Sequence, residues 1–438
     1  MVNLKKYPKY KDSGVEWLRE VPSEWQVLQI KRLTRVRRGA SPRPIDDPIY
    51  FDDNGEYSWV RISDVTKSNM YLEETEQKLS NLGSSLSVKL EPGELFLSIA
   101  ATVGKPCITN VKCCIYDGFV YFPDYRGDKR FLYYIFEAGE AYRGLGKLGT
   151  QLNLNTDTVG SIYIAVPTIQ EQKMISDFLD EKVHEIDSLI ADKEKLIELL
   201  EEKRQVIITE AVTKGLNPNV KMKDSGVEWI GEMPESWEVS KIKYQADINK
   251  YTLSENTDED LEIKYIDISS VNSRGEVVNI EKYYFKDAPS RARRILRKGD
   301  TIISTVRTYL KAITWFEEVE ENLICSTGFA VLSPKETIYP KYLFYLMRST
   351  KYIDEIVKRS IGVSYPAITS TEIGMMECLL PNINEQKMIV EYIDNELKKI
   401  DGLVDEIKLQ IQKLKEYRQS LIYEAVTGKI DVRDYVRV

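Results

Sequence analysis

"KDSGVEWLREVPSEWQVLQIK" occupies residues 11–31, and "KDSGVEWIGEMPESWEVSKIK" occupies residues 223–243. Thirteen of the 21 positions are identical, and the copies stand 212 residues apart. The repetition continues downstream. "PTIQEQKMISDFLDEKVHEIDSLI" (167–190) is answered by "PNINEQKMIVEYIDNELKKIDGLV" (381–404), and "EAVT" recurs at 210–213 and 424–427. A shift of 214 holds at both ends of this stretch, so no net insertion separates the two 47-residue segments. A period above 200 is too long for a solenoid, whose units run about 20–50 residues. The chain is a duplicated half-molecule: a phrase, a variable module and a long helix, then all three again.

The intervening modules diverge but keep traces of common descent. "WVRISDV" (59–65) resembles "YIDISSV" (265–271), and "LEPGELFLSIAATVGK" (90–105) resembles "LRKGDTIISTVRTYLK" (296–311). Alternating apolar and polar residues in "EYSWVRISDV" and "EIKYIDISSV" predict strands. "RFLYYIFEA" and "KYLFYLMRS" predict short buried helices whose aromatics belong to the core. Phrase and helix differ little between copies while the modules differ greatly. Something common to both halves acts on the former, and something different acts on each module.

The helical segments carry one apolar stripe each. In the first it runs through Ile175, Phe178/Leu179, Val183, Ile186, Leu189/Ile190, Leu196, Leu200 and Ile207. In the second it runs through Ile389, Ile393, Leu397, Ile400, Leu403/Val404, Ile407, Ile411, Leu414, Tyr417 and Leu421. Spacings of three and four mark amphipathic helices of about 40 residues, roughly 60 Å long. A stripe that long needs a partner, and the other copy is the economical one. Periodicity does not give the direction of pairing.

At 438 residues the chain exceeds a single core, so at least two domains are expected. No apolar run of spanning length and no apolar leader core occurs. Five scattered cysteines, in neither metal-type nor redox-type spacing, fit a reducing cytoplasm. His184 is the one histidine, read as an exposed helix residue, which excludes His-based triads and helical zinc motifs. No dinucleotide or phosphate-loop glycine motif occurs; "GLGKLGT" (144–150) does not match. The pattern is that of a protein that binds rather than one that does chemistry.

The net charge of −8 argues against nucleic acid until it is mapped. The two helical segments carry −6 and −2, which is all of it. The remainder is near neutral and locally basic, as in "KRLTRVRRGASPRP" (31–44), "SRARRILRKGD" (290–300), "STVRTYLK" (304–311) and "IVKRSIGVSYP" (356–366). Clustered Arg and Lys beside hydroxyl and amide side chains suit phosphate anchoring with groove readout.

Together, the twin "KDSGVEW…P…W" phrases, the "P-x-I-x-EQK-x-I" helix starts, the "EAVT" helix ends and the doubled layout resemble the specificity subunit of Type I restriction-modification enzymes over essentially the whole chain. The resemblance implies an α+β chain: two mixed α/β target-recognition domains separated by two long helices that form an antiparallel coiled coil, with pseudo-two-fold duplication. The implied partition is 1–166, first recognition domain; 167–214, first spacer helix; 215–380, second recognition domain; 381–428, second spacer helix; 429–438, tail. Each domain is expected to read one half of a split duplex-DNA target. The helices are expected to set the gap and dock two methyltransferase (modification) subunits, and restriction/translocase subunits join for cleavage. No cofactor is expected in this chain; S-adenosylmethionine belongs to the methyltransferase partner. No residue is expected to be catalytic, and no adenine-methyltransferase N-P-P-[FY] or D-P-P-Y motif is present. Half-sites one duplex turn apart present the same face about 34 Å from each other, a distance such helices can address.

Expected DNA contacts sit on turns after strands: Arg37, Arg38, Arg43, Arg61, Lys105, Gln151 and Asn153 in the first module, and Arg291, Arg293, Arg307, Tyr309, Lys311, Ser364 and Tyr365 in the second. Gln151/Asn153 and Ser364/Tyr365 occupy equivalent loops before the closing strand and are the favoured base readers. Two rivals remain at this stage. One is a coiled-coil scaffold with two protein-binding modules; the other is a stand-alone nuclease using carboxylates and Mg²⁺.

Overall fold

A computed structural model describes residues 5–142, 145 and 154–435. The chain divides into two compact units: Met1–Lys193 with Leu409–Val438, and Glu194–Lys408. Each unit therefore holds one module and half of each long helix, so the division falls within the helices and not at their ends.

The two modules share one plan. In the first, a five-stranded sheet runs in the order Arg37–Arg38, Phe119–Tyr121, Leu95–Ser98, Pro106–Thr109, Tyr71–Leu72, and a four-stranded sheet in the order Gln77–Leu79, Tyr57–Val60, Cys113–Ile115, Val88–Leu90. In the second, the corresponding sheets are Ala246–Ile248, Phe329–Pro334, Thr301–Ser304, Ile313–Trp315 and Glu281–Tyr284, Glu262–Ile266, Leu323–Ser326, Ala292–Ile295. A parallel pair lies inside the latter sheet of each module, in register Cys114↔Trp59 and Ile324↔Tyr265. An antiparallel clamp joins each module's beginning to its end, with Val27↔Ala165 in the first and Val239↔Leu379 in the second. The short helices Lys129–Glu137 and Pro340–Arg348 bury nearly all of their apolar and aromatic side chains. That is why their sequences are aromatic on every face.

The long helices span Ile169–Lys214 and Ile383–Val426. Capping residues precede both: Thr168 Oγ1 accepts from the Glu171 amide at 3.3 Å, and Asn382 Oδ1 from the Glu385 amide at 3.0 Å. Both are followed by a glycine in the left-handed region, Gly215 (φ +76°) and Gly428 (φ +70°), which only glycine adopts without strain. The helices are paired antiparallel. In the first unit Lys193 donates to Gln410 at 2.6 Å and Arg418 to Asp187 at 2.9 Å; in the second Arg204 pairs with Asp401. As one residue number rises the other falls, which only antiparallel pairing allows. Ile175, Phe178, Leu179, Val183, Ile186 and Ile190 are buried, as are Ile393, Ile400, Val404, Ile407 and Ile411. The stripe read from sequence is too long: Leu196, Leu403 and Tyr417 are about half exposed. No residue between Ile190 and Arg204 is buried. Helical periodicity marks the side of a helix, but burial also requires something to lie against it.

The repeated phrase has a structural reason. In the first unit Trp25 is buried and donates its indole N–H to Glu171 Oε1 at 3.2 Å. Tyr7 donates its hydroxyl to the same oxygen at 2.7 Å. Gly428, at the end of the second long helix, lies against Pro22 and Trp25. In the second unit Trp237 donates to Glu385 Oε1 at 2.9 Å, and Gly215, at the end of the first long helix, lies against Trp237 and Pro234. Each phrase thus binds the start of its own repeat's helix and the end of the other repeat's helix. The three duplicated motifs form one joint, built twice, which explains why they diverged least.

Candidate nucleic-acid interface

A rim of the second module gathers five of the expected residues. A turn carries Arg307, Tyr309 and Lys311, and an adjoining loop carries Ser364 and Tyr365; all five are exposed. The Arg307 amide donates to Pro366 O at 2.8 Å, and Thr308 and Ser360 share a hydroxyl hydrogen bond of 2.8 Å. Bridges at Val306↔Ala367 and Ile361↔Ala367 complete the connection. The Arg307 guanidinium lies 4.8 Å from the centre of the Tyr365 ring, a cation–π contact that holds both side chains near one surface. Arg307 (φ +52°) and Lys311 (φ +55°) are left-handed, a strained conformation for residues with side chains, and it is concentrated on this turn.

Arg291 is exposed, and its carbonyl accepts from Thr327, which precedes the glycine bonded to Thr305 of the same turn. Arg293 is turned inward at a β-bulge: its guanidinium stacks 4.8 Å from the Phe285 ring and donates to Ala292 O at 3.0 Å.

The first module builds the same turn with different chemistry. "SIAATVGK" (98–105) corresponds to "STVRTYLK" (304–311), and Ala101 is left-handed (φ +51°) where Arg307 stands in the other copy. Ser98 Oγ donates to Ala100 O just as Ser304 Oγ donates to Val306 O. Lys105 does not offer a free ammonium: its Nζ donates to Thr66 O at 3.0 Å and Ser68 O at 2.7 Å. Arg37 and Arg38 lie exposed on an edge strand paired with Tyr121 and Val120. Arg43 is exposed and reaches Asp117 at 3.3 Å, while Arg38 donates to the carbonyl of Asp117. Arg61 is exposed, and its backbone N–H is held by Asp64 at 2.8 Å. Gln151 and Asn153 lie outside the described residues.

Sequence reasoning missed two apolar side chains beside this rim, Ile361 (79% exposed) and Val363 (102%). The signal was available: "SIGVSY" sets isolated apolar residues around a glycine, in neither helical nor strand period. Among the described residues no group of His, Cys, Asp and Glu is placed to hold a metal ion. No helix among them is long and apolar enough to cross a membrane.

The duplicated modules, each with a polar and cationic rim on a joint of paired helices, define a two-headed binding protein. A family model described as "Type I restriction modification DNA specificity domain" matches twice, over residues 22–199 and 234–413. The chain belongs to that family and carries its domain in both halves. A relative named Type I restriction enzyme MjaVIII specificity subunit, from Methanocaldococcus jannaschii, is 25% identical over 94% of this chain and 95% of its own. The EcoDI specificity subunit of Escherichia coli is 19% identical over 94% and 90%. Among solved structures, one described as showing complex assembly and conformational transition of the type I R-M system has a TM-score of 0.69, with 15% identity over 94% of this chain and 99% of that one. The HsdS subunit of Thermoanaerobacter tengcongensis has a TM-score of 0.50, with 15% identity over 94% and 98%. At such identity these structures establish the shared fold.

Proposed function

We propose that this chain is the non-catalytic DNA-recognition subunit of a Type I restriction-modification assembly, with residues 1–166 and 215–380 each reading one half of a bipartite duplex target. The paired helices fix the separation of the half-sites and dock two methyltransferase subunits. Those subunits bring S-adenosylmethionine and methylate adenine, and restriction/translocase subunits add cleavage where they are present. The assembly works in the cytoplasm. The observation that carries this reading is the double match to the specificity domain, one copy per module, on modules whose rims differ in chemistry. Unlike rims on like scaffolds read unlike half-sites.

In the second module Arg307, Tyr309, Lys311, Ser364, Tyr365 and Arg291 supply the contacts. In the first, Arg37, Arg38, Arg43 and Arg61 do so, together with Gln151 and Asn153. Arg and amide side chains read base edges, and the remaining cations neutralise phosphates. Lys105 and Arg293 have a supporting role, since their polar ends already serve the module itself. The target base must leave the stack to be methylated, and gripping the flanking duplex lowers the cost of that step to the partner.

Mapping methylated adenines in cells with and without this chain, expressed with its methyltransferase partner, tests the reading. The expected result is a bipartite motif that disappears with the chain. Exchanging residues 215–380 for another module is expected to change one half of that motif and leave the other. A motif that survives loss of the chain, or changes in both halves, refutes it.

A further inference from the structure

In each unit a short helix packs where the two long helices meet, and the side chains there are duplicated almost position for position. Tyr134 and Arg130 donate to Asp180 at 2.7 and 2.6 Å; Tyr345 and Lys341 donate to Asp394 at 2.5 and 2.7 Å. Arg418 and Asp187 of the first unit correspond to Arg204 and Asp401 of the second. One position reverses charge: Glu137 ends the first short helix where Arg348 ends the second.

The reversal changes the balance of the cavity beside it. In the first unit Glu137 completes the charge, accepting from Arg418 Nη1 at 3.1 Å while Asp187 accepts from Nε at 2.9 Å. In the second, a cavity of about 450 Å³ is lined by Arg204, Arg274, Lys341, Arg348 and Lys398. Asp394, Asp401 and Glu201 pair with Lys341, Arg204 and Arg274. Among the described residues Arg348 and the exposed Lys398 form no such pair, and Glu276 acts on Arg348 only through its charge. Arg348 is only 4% exposed. It donates to two carbonyl oxygens, Ser273 O at 3.0 Å and Ile313 O at 3.4 Å, and among the described residues no carboxylate forms an ion pair with it. Arg204 is buried too. Glu201 approaches its Nε at 3.3 Å but out of hydrogen-bond alignment, which leaves that N–H without an acceptor. Burial, then the neighbouring Arg204 charge, pushes the Arg348 guanidinium down to about 10. A buried cation with no carboxylate in contact is costly, and a bound anion relieves that cost.

We propose that this cavity is an oxyanion site of the phosphate class, held by the guanidinium groups of Arg204, Arg274 and Arg348. Guanidinium forks match the oxygen edges of a tetrahedral oxyanion, and its negative charge offsets the cationic excess of the lining. The first unit needs no such ligand because Glu137 supplies the charge from within the chain. The ligand is either a free oxyanion or a phosphate of a polynucleotide backbone, and the site does not depend on which bases the modules read.

The test uses the full chain, inorganic phosphate as the probe, and ionic strength held constant with chloride. Phosphate strengthens burial in any protein, so the readout is the difference between wild type and Arg348→Glu, which installs the acid of the first unit beside Arg204, with the fold of each variant checked by circular dichroism. Wild type is expected to show a saturable rise in unfolding midpoint and a broadened phosphorus-31 line. Arg348→Glu is expected to lose both, and Arg348→Gln to bind at least tenfold more weakly. Equal phosphate dependence in wild type and Arg348→Glu, or none in wild type, overturns the proposal. Adding a DNA duplex of arbitrary sequence identifies the source: release of bound phosphate assigns a backbone phosphate, and retention assigns a free oxyanion.

Discussion

Two glycines close the long helices on the same motif in different surroundings, which makes them a matched pair for mutation. Both are left-handed, so an alanine at either position bears the same backbone penalty of about 1–2 kcal/mol. The space around them differs. A Cβ at Gly215 would meet Trp237 Cζ2 at 3.3 Å, a tight contact that a small shift relieves. A Cβ at Gly428 would lie 2.5 Å from both Cδ and Cγ of Pro22 and 3.1 Å from Trp25 Cη2. A proline ring in a strand cannot rotate away, so overpacking adds about 1–3 kcal/mol there. Gly215→Ala is therefore expected to cost about 1–2 kcal/mol and Gly428→Ala about 2–5. The chain has two compact units, so a global midpoint would blur the comparison, and local hydrogen exchange is the better assay. With ten-fold per 1.4 kcal/mol, peptides at residues 215–240 should exchange about 5–30-fold faster in Gly215→Ala. Peptides at residues 10–30 and 420–432 should exchange at least about 30-fold faster in Gly428→Ala. Equal costs, or acceleration confined to residues 420–432 with residues 10–30 unchanged, would refute the claim that the first phrase and the second helix end share one joint.

Arg307→Ala is expected to cost about 1–3 kcal/mol in target binding and to relax one position of one half-site; uniform weakening across sequences makes it a phosphate contact instead. Asp431 accepts from Arg433 at 2.9 and 2.7 Å, and those bonds hold its carboxyl below the ordinary 3.8. A lowered carboxylate stabilises fully above the ordinary value and loses that contribution as pH falls below it. The extra tail protection of wild type over Asp431→Asn, read by exchange, should thus be constant above about pH 5 and shrink below 3.8. Burial pushes the thiols of Cys107, Cys113 and Cys378 up to about 12 and that of Cys114 to about 11. The thiolate is the reactive form, so a thiol reagent at pH 8 should leave the native chain unmodified and label all five cysteines once it is unfolded. Rapid labelling of the native chain contradicts their burial.

The sequence alone determined the duplication, the two amphipathic helices and the strand-rich character of the modules. Each of these is a pattern of residue type against position along the chain, and period 2, period 3.6 and a long repeat are visible without coordinates. It also exposed the acidic helices and the basic loops, because charge adds along a segment wherever that segment lies. It left the sense of helix pairing open, since an apolar stripe reads the same in either direction. The answer came from pairs such as Arg418 with Asp187 and Arg204 with Asp401. The tertiary structure alone showed that Lys105 and Arg293 hydrogen-bond to carbonyls of their own module while Arg307 is exposed. The direction of a long side chain is set by carbonyls and rings that arrive from distant parts of the sequence. It alone showed, too, that one reversed charge, Glu137 against Arg348, leaves a buried guanidinium without an ion pair among the described residues. Charge balance in a cavity depends on which side chains surround it, and their order along the chain does not fix that.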